Sequence, residues 1–532
     1  MFHIRTATTA SGATEVQVIR YRFRKRIIVK HIGSAHTEED IVSLKQIANQ
    51  WIEQETHQQR LLPIEEKKPS LPLVSIDKLR NLGFRYTFAY ETLTKLLRMF
   101  NLAEKEYCLF LDLVLIRIMQ PASKRESFTL LSNLFGIHYK RTDFYRSLPA
   151  FVELKETIEK NVVTLAAKHF SFDFSLIFYD VTTLYYESFT DDEDSLDEEG
   201  NVIEKGLRKG GFGKEVKSGQ PIIVIGLMVT KEGFPISYEV YEGNTFEGDT
   251  FIPSILSFKK KHKIQTLTIV ADAAMISFDN VEKLKEHELS YIVGARMANL
   301  KRVEMKQIHE KLIGQNQTAE ELQKIDGKSM RIQTEKGLLL CDFSVKRYMK
   351  DKREMDKQIA KAEYLVLKNT EGKRTKFLML KQDSKKKGEE KEKVYALNTE
   401  LIEKTKLLLG IKGYYTNLFE KDEKLTNTDI ITHYHSLWYV EKAFRIAKSD
   451  LQMRPIYSFT RKAIEAHVLI CFMALAVCKY MELKTKRSTK VIINLLKQVT
   501  DARILHTLTN EEIILRSELS TETEEILKNL HL

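Results

Sequence analysis

The sequence predicts an α/β protein, a mixed five-stranded sheet flanked by helices, preceded by a mainly helical region and interrupted late by a β-rich insertion. Three observations carry this. From residue 171 the hydrophobic period changes, and "FSLIFYDVTTLYYES" is apolar on both faces, as a central strand is. "PIIVIGLMVT" and "FPISYEVYEG" follow, joined by the hairpin signal "KEG". Helical stretches at 249–262 and 278–287, the second capped by Ser277, then alternate with "TLTIVADA" and "SYIVGARM". The order β-β-β-α-β-α-β is a three-strand meander continued by alternating helices and strands, which buries a sheet between helical layers.

The rest of the chain divides around that core. At 532 residues, two to four units are expected. Residues 1–74 form a basic N-terminal part. Within 1–35, seven Lys/Arg stand against one acid, and "RYRFRKRIIVK" reads as a strand with Arg20, Arg22, Arg24 and Arg26 on one face. Such a face can track a phosphate backbone or simply guard a solvated edge. "TEED" at 37–40 opens a helix to about residue 58, and Pro63, Pro69 and Pro72 mark a linker. Residues 75–170 read as helical. Inside them "ASKRESFTLLSNLFGIHYKRTDFYRSL" gives helix, glycine turn and short helix, with Lys140 and Arg141 among its cations, the outline of either a helix-turn-helix DNA reader or an ordinary bundle.

The first part of the sheet domain runs over 171–297. Its acidic loop "DDEDSLDEEG" reads as a solvated connection, and "GLRKGGFGKEVKSGQ", which carries Lys214, as a mobile basic loop. The latter is not a phosphate-binding P-loop: Glu215 follows Gly213-Lys214, and Arg208 occupies the place of the first glycine. Residues 298–412 break the rhythm and read as an inserted subdomain. Residues 413–484 return to the core with the strand "GYYTNLF" and helices at 427–437, 438–452 and 461–484, and 485–532 read as amphipathic helices.

Composition narrows the function. Hydrophobic residues at 43% and charged ones at 30% describe a soluble protein with an ample core. A net charge of +11 favours a polyanionic partner, nucleic acid before an acidic membrane surface, though a merely basic protein carries the same sign. Four cysteines without paired spacing point away from zinc and disulfides and toward a reducing cytoplasm. The N-terminus lacks a signal-peptide core, and the longest apolar run, Val468–Cys478, is too short to span a bilayer, so no membrane role is expected.

Chemistry concentrates in three acids. Asp180 lies inside the doubly apolar first strand, where an isolated carboxylate is costly to ionise. Asp272 follows "LTIV" at the carboxyl end of another strand, where α/β sheets place functional groups. Glu441 borders the buried seam Val440, Phe444, Ala447 and Leu451, in line with Arg445 and Lys448. Singly, Asp272 is also a capping residue, Asp180 a hydrogen-bonded core acid, and Glu441 half of a surface pair with Arg445 worth about 0.3–0.5 kcal/mol. Together they form an oxygen-ligand set for Mg²⁺, with Mn²⁺ also accepted. Two such ions suit phosphodiester cleavage, with Arg445 and Lys448 placed to receive phosphate. Asn244 and Thr245, in a "GNT" turn, either line that site or simply build the turn.

"FYDVTTLYYE", "IVADAAMIS" and "YHSLWYVEKAFRIAKSDLQMRPIY" resemble the three catalytic blocks of bacterial insertion-sequence transposases with an Asp-Asp-Glu site on an RNase H-like fold, and "GLMVTKEGFPISYEVYEGNTFEGDTF" is similar to the segment between their two aspartates. The nearest group is the insertion-sequence family numbered four, and the similarity spans roughly 170–480. Its third block runs Tyr, two residues, Arg, three residues, Glu, six residues, Lys. Tyr434, Glu441 and Lys448 match, and Leu437 stands at the Arg position. The resemblance implies Asp180, Asp272 and Glu441 as catalytic metal ligands, and Tyr434 and Lys448 on the DNA backbone, with Arg445 in reach as a stand-in for the missing Arg. It implies hydrolysis at element ends followed by 3′-hydroxyl strand transfer into target DNA, by a homodimer on double-stranded DNA, nucleoid-associated when bound. Arg22, Arg24, Arg26, Lys140, Arg141 and Lys214 are further DNA-contact candidates. A nuclease that cuts without joining and a degenerate DNA-binding protein are the alternatives, the latter suggested by Leu437.

Overall fold

The computed structural model describes residues 2–56, 76–102, 107–186, 189–211, 220–275, 278–316, 318–368, 375–381 and 394–532. Lys214, Ser277 and most of the lysine/glutamate tract after residue 381 lie outside them. The chain forms two compact units, one of Met1–Leu96, Arg125–Lys140 and Lys484–Leu532, the other of Leu97–Lys124 and Arg141–Leu483.

In the first unit, strands Phe2–Thr8, Thr14–Arg22 and Lys25–Ala35 make an antiparallel sheet. The helix Glu38–Thr56 packs on it through Leu44 and Ala48, against Val16, Val18 and Ile32. Thr37 Oγ1 accepts from the Asp40 N–H at 3.3 Å, the helix start that "TEED" signals. The basic segment is not one strand. The chain reverses at Phe23 and Arg24, whose φ values of +49° and +61° are those a two-residue hairpin demands. Arg22 pairs with Lys25 and Tyr21 with Arg26, so the four arginines do not share a face and the cations crowd a hairpin tip.

Two further segments depart from the helical reading for one reason, pairing across the length of the chain. Leu79–Arg85 is a strand, hydrogen-bonded to Asp501–His506, which pairs in turn with Glu511–Arg516. Local pattern does not carry a partner some 420 residues away. The suspected reader motif differs as well. Its first helix is Lys124–Phe135, but the second, Arg141–Phe170, is 30 residues long rather than short, and the helices fall largely into different units.

The second unit is built on a nine-stranded mixed sheet. Its strands are β1 (Ile177–Tyr185), β2 (Pro221–Thr230), β3 (Pro235–Glu242), β4 (Thr268–Ala271), β5 (Ser290–Gly294), β6 (Ser329–Thr334), β7 (Gly337–Phe343) and β8 (Ile411–Thr416), with Lys209–Gly210 added beside β2. The order is β3-β2-β1-β4-β5-β8-β7-β6. The pairs β3–β2 and β2–β1 are antiparallel, and β4 runs parallel to both β1 and β5. β8 returns antiparallel to β5, and the hairpin β6–β7 extends the sheet from β8. Thus two strands from 298–412 join the main sheet, while the hairpin of Leu378–Lys381 with Val394–Leu397 stands apart from it. Around the sheet lie α1 (Glu247–His262), α2 (Phe278–Glu286), α3 (Asn427–His435), α4 (Trp438–Arg445) and α5 (Arg461–Thr485). Helix α5 is long and apolar enough to cross a membrane by length and composition, more than the shorter run suggests, yet 94% of its apolar window is buried inside the protein.

The helix expected over 438–452 ends at Arg445 and continues as a π-helical turn, Ile446–Asp450. Such turns displace side chains from the regular helical rows and recur at functional sites. The acidic loop is not merely solvated, nor is the described start of the basic loop free. Asp191, Asp192 and Asp194 accept the backbone N–H groups of Gly210, Arg208 and Gly206 at 3.0, 3.0 and 2.8 Å. Arg208 is ion-paired with Asp192 and lies over the rings of Tyr186 and Phe459.

Every residue of β2 is buried, so its one glycine is a fitted position. A Cβ on Gly226 would stand 2.3 Å from the Tyr179 hydroxyl, itself hydrogen-bonded to Thr250 and Ser254 of α1. Gly226→Ala is therefore expected to destabilise the protein by about 1–3 kcal/mol in urea unfolding, and Tyr179→Phe in the same background should recover part of the loss.

Candidate active site

The backbone brings the two aspartates level. β1 and β4 are parallel neighbours with Tyr179 opposite Ala271, so the next residues, Asp180 and Asp272, stand side by side as β4 ends. Tyr179 turns to α1, where it meets Thr250. Strand alternation sends Asp180 to the opposite face. Helix α4 packs on β1 and β2, burying Val440, Ala443 and Phe444 and leaving Glu441 and Arg445 exposed.

Electrostatics link these acids. The Asp180 carboxyl is pushed up to about 7, first by burial and then by repulsion from Asp272, Glu441 and Glu247, against the pull of its hydrogen bond from the Val181 N–H at 2.8 Å. Asp272, Glu441 and Glu247 thus share the field at Asp180. Lys448, on the π turn, is half-buried. Burial pulls its ammonium down and Asp180 draws it back up, so it faces the same acid. Among the described residues, no three His, Cys, Asp or Glu side chains close on one point as a metal cluster.

Tyr434, on α3, is buried and donates its hydroxyl to Asp272 Oδ1 at 2.9 Å. It orients an acid, where the resemblance implies a phosphate contact. Gly294, at the end of β5, makes the room: a Cβ there would lie 2.4 Å from the Tyr434 hydroxyl. Arg296 braces the turn after Asp272, donating to the carbonyls of Ala273 and Ala274 at 3.1 and 3.3 Å. Leu437 is 6% exposed at the start of α4 and offers no polar atom to the site.

Two participants escape sequence reasoning. Glu247 opens α1, where an acid reads as an ordinary partner for the helix dipole. Lys412 lies on β8 with its ammonium 4.3 Å from the centre of the Tyr434 ring, in a field that includes Asp272 and Glu441. A lone lysine in the apolar strand "IKGYYT" was the available signal. Asn244 is exposed, and Thr245 closes its own turn with Glu242 at 3.3 Å. Arg22, Arg24, Arg26 and Lys140 belong to the other unit. Arg141 is exposed at the start of its long helix, stacked with Tyr145.

Paired strand-end aspartates in a mixed α/β sheet, with further acids and lysines in the same field, are the kind of donor set used by enzymes that handle phosphate esters with oxygen-bound cations. Residues 177–477, more than half of the chain, match the family described as the transposase DDE domain, and the chain belongs to that family. It is a DDE transposase, an enzyme of DNA transposition that cuts and transfers DNA strands, and DDE domains generally use divalent metal ions. Among solved structures, the chain is similar to a piggyBac transposase in a synaptic complex with hairpin DNA, at 11% identity and a TM-score of 0.36 over 78% of this chain and 80% of that one. It also overlaps a Mos1 transposase in a paired-end complex with the left transposon end, at 12% identity and a TM-score of 0.15 over 47% and 66% of the two chains. No curated protein matches the chain.

Two outcomes follow from the site. A carboxyl raised in the folded state costs stability as pH rises from its ordinary value toward the raised one. In chelator, the protein should lose on the order of 3 kcal/mol between about pH 4 and pH 7 through Asp180, and Asp180→Asn should flatten that dependence in melting curves and melt higher at pH 8. Gly294→Ala should displace the Tyr434 hydroxyl from Asp272 and lower the cleavage rate by roughly 10-fold, the kinetic equivalent of 1.4 kcal/mol, with DNA affinity unchanged in a gel-shift titration.

Proposed function

We propose that Asp180, Asp272 and Glu441 are the catalytic acids of a bacterial insertion-sequence transposase of the group numbered four, on an RNase H-like core formed by β1 to β5. The observation that carries this reading is the raised Asp180 carboxyl, in the shared field of the other two acids at the end of two paired parallel strands. The strand order β3-β2-β1-β4-β5, with only β2 reversed, supports the core, and Tyr434, Glu441 and Lys448 at the group's spacing support the assignment.

The donor set suits a hard divalent cation in its chemistry: it offers only carboxylate oxygens, and burial, with the neighbouring carboxylates adding to it, raises Asp180 toward neutrality. Asp180, Asp272 and Glu441 would hold Mg²⁺, as two ions, with Mn²⁺ as a substitute. Bound there, the metal supplies Lewis-acid polarisation of phosphate oxygens and a more acidic water. The chain's own groups do the rest. To hold a cation Asp180 would have to give up its proton, so loading would strengthen with pH. Tyr434 keeps Asp272 in one orientation. Lys448 and Lys412 present positive charge beside the acids, where the phosphate of an element end would bring two further oxygens.

The reaction has two displacements. Water adds to phosphorus at the element's end and the 3′ oxygen leaves with a proton, giving a free 3′-hydroxyl. That hydroxyl then attacks a target phosphodiester, forming one P–O bond and breaking another, so joining needs no external energy source. Two ends must be held together, which favours a homodimer on double-stranded DNA. Arg445, exposed one turn beyond Glu441, and the cationic hairpin tip around Arg22, Arg24 and Arg26 are suited to the DNA backbone.

The test uses labelled DNA carrying the inverted repeats that flank the gene, a supercoiled target and Mg²⁺. Joined product is the expected result. Cleavage without joining would mark a nuclease, and neither would mark a DNA-binding protein. Asp180→Asn should bind the ends and leave them uncut, and full cleavage by that variant would sink the assignment.

A further inference from the structure

A second cluster, of opposite sign, lies in the same unit. A cavity of about 110 Å³ is lined by Arg117, Ser123, Lys124, Tyr457, Ser458 and His467 among others, and no lining residue is acidic. Arg117 comes from the helix Cys108–Met119, Lys124 from the start of the helix Lys124–Phe135, and His467 from α5. Arg117 is 3% exposed. Its Nη1 donates to the carbonyls of Leu451 and Gln452 at 3.4 Å each, and its Nε is buried without a hydrogen-bond partner.

The hydrogen bonds fix the polarity of the pocket. His467 Nε2 lies 2.9 Å from the Met453 carbonyl, an acceptor only, so Nε2 carries the proton and Nδ1 accepts from Lys124 Nζ at 3.2 Å. His467 is therefore neutral, and it uses one of the three Lys124 N–H groups. Among the described residues, no other hydrogen-bond acceptor meets that ammonium. Burial and then the Arg117 charge push Lys124 down to about 7, and no carboxylate opposes them. Two cationic groups held together with no counter-charge are costly unless an anion joins them. The cavity reaches solvent beside Tyr457, which is 62% exposed.

We propose that this cavity is an anion site for a phosphoryl group, bound by Arg117 and Lys124 with hydroxyl donors at its mouth. A tetrahedral oxyanion with several acceptors uses the Arg117 Nε, the remaining Lys124 N–H groups and the Ser458 hydroxyl at once, which chloride cannot. The group comes either from a DNA phosphodiester, which rests on the transposase reading, or from free orthophosphate. Either way it would sit against residues 451–458, the segment that leaves the π turn carrying Lys448.

The experiment compares wild type, Lys124→Met and Asp180→Asn as full-length chains, using sodium phosphate against sodium chloride at matched ionic strength, and a linear DNA duplex titrated across salt. Phosphate should raise the wild-type melting temperature beyond chloride. It should do the same for Asp180→Asn, so this arm stands even if the acids are not catalytic. Lys124→Met should lose the phosphate shift while melting no lower than wild type in chloride, because it removes an uncompensated charge. A fall of about one in the salt slope of duplex binding in Lys124→Met assigns the group to DNA, and an unchanged slope with a phosphate shift assigns it to orthophosphate. The proposal is overturned if wild type shows no phosphate shift and Lys124→Met leaves the slope unchanged, or if Lys124→Met keeps the shift and melts lower in both salts.

Discussion

The parallel pairing of β1 with β4 is the constraint on which the site depends. It sets Asp180 and Asp272 one step beyond a matched pair, Tyr179 with Ala271. Because side chains alternate along a strand, a slip of one residue would turn Asp180 toward the helix α1 and its hydroxyl network, and Tyr179 toward the acids. The hydroxyl network defends the register. Tyr179 is fully buried, with its hydroxyl placed between Thr250 and Ser254 in the space left by Gly226. The large apolar area of the inner strands is thus what holds two like charges together. Asp180 bears the cost as a raised carboxyl, first through burial and then through the charges of its neighbours.

The remaining members arrive from elements far along the chain, each held by packing rather than by the charges it meets. Glu441 rides on α4, whose apolar side is buried against β1 and β2. Lys448 follows on a π turn, which shifts it off the regular helical line and into the field of Asp180. Lys412 lies on β8, on the far side of β5 from β4, and reaches the Tyr434 ring. This division matters for Leu437. The position that the group fills with Arg is buried at the start of α4, and a lysine of β8, Lys412, lies over the Tyr434 ring. A lysine ammonium has no fork for bidentate phosphate recognition, so Lys412 does not reproduce the geometry that an Arg would offer.

What could be read from the sequence followed the reach of its local signals. The five strands of the core and "GYYTNLF" are long apolar runs bounded by turn residues, and each is present. Asp180 and Asp272 stood out because a carboxylate in such a run is conspicuous. The hairpin at Phe23 and Arg24 carries no Asn-Gly signal, so its alternating cations imitate a single strand. Leu79–Arg85 and the hairpin 501–516 become strands only through each other, and a pattern that gains its meaning from a distant partner is silent on its own. Glu247 and Lys412 were hidden differently: one looks like a helix-start acid and the other like a strand lysine, and only the fold turns them toward Asp180 and Asp272. The acidic and basic loops each looked solvated, but together they satisfy one another's backbone, a complementarity that composition cannot display.

The two charge clusters of the second unit obey one rule. Each gathers like charges in a partly buried place, and each departs from the ordinary practice of pairing such groups within the chain. Around Asp180 the excess is negative and the nearby lysines offset only part of it. Around Arg117 and Lys124 it is positive, and His467, which hydrogen-bonds Lys124, is neutral. Uncompensated charge of this kind lowers the stability of the free protein in proportion to the affinity it creates for a ligand of opposite sign. The acidic cluster suits a cation and the basic one an anion. Segment 446–458 joins the clusters in sequence, beginning with the turn that carries Lys448 and ending at the wall of the anion pocket.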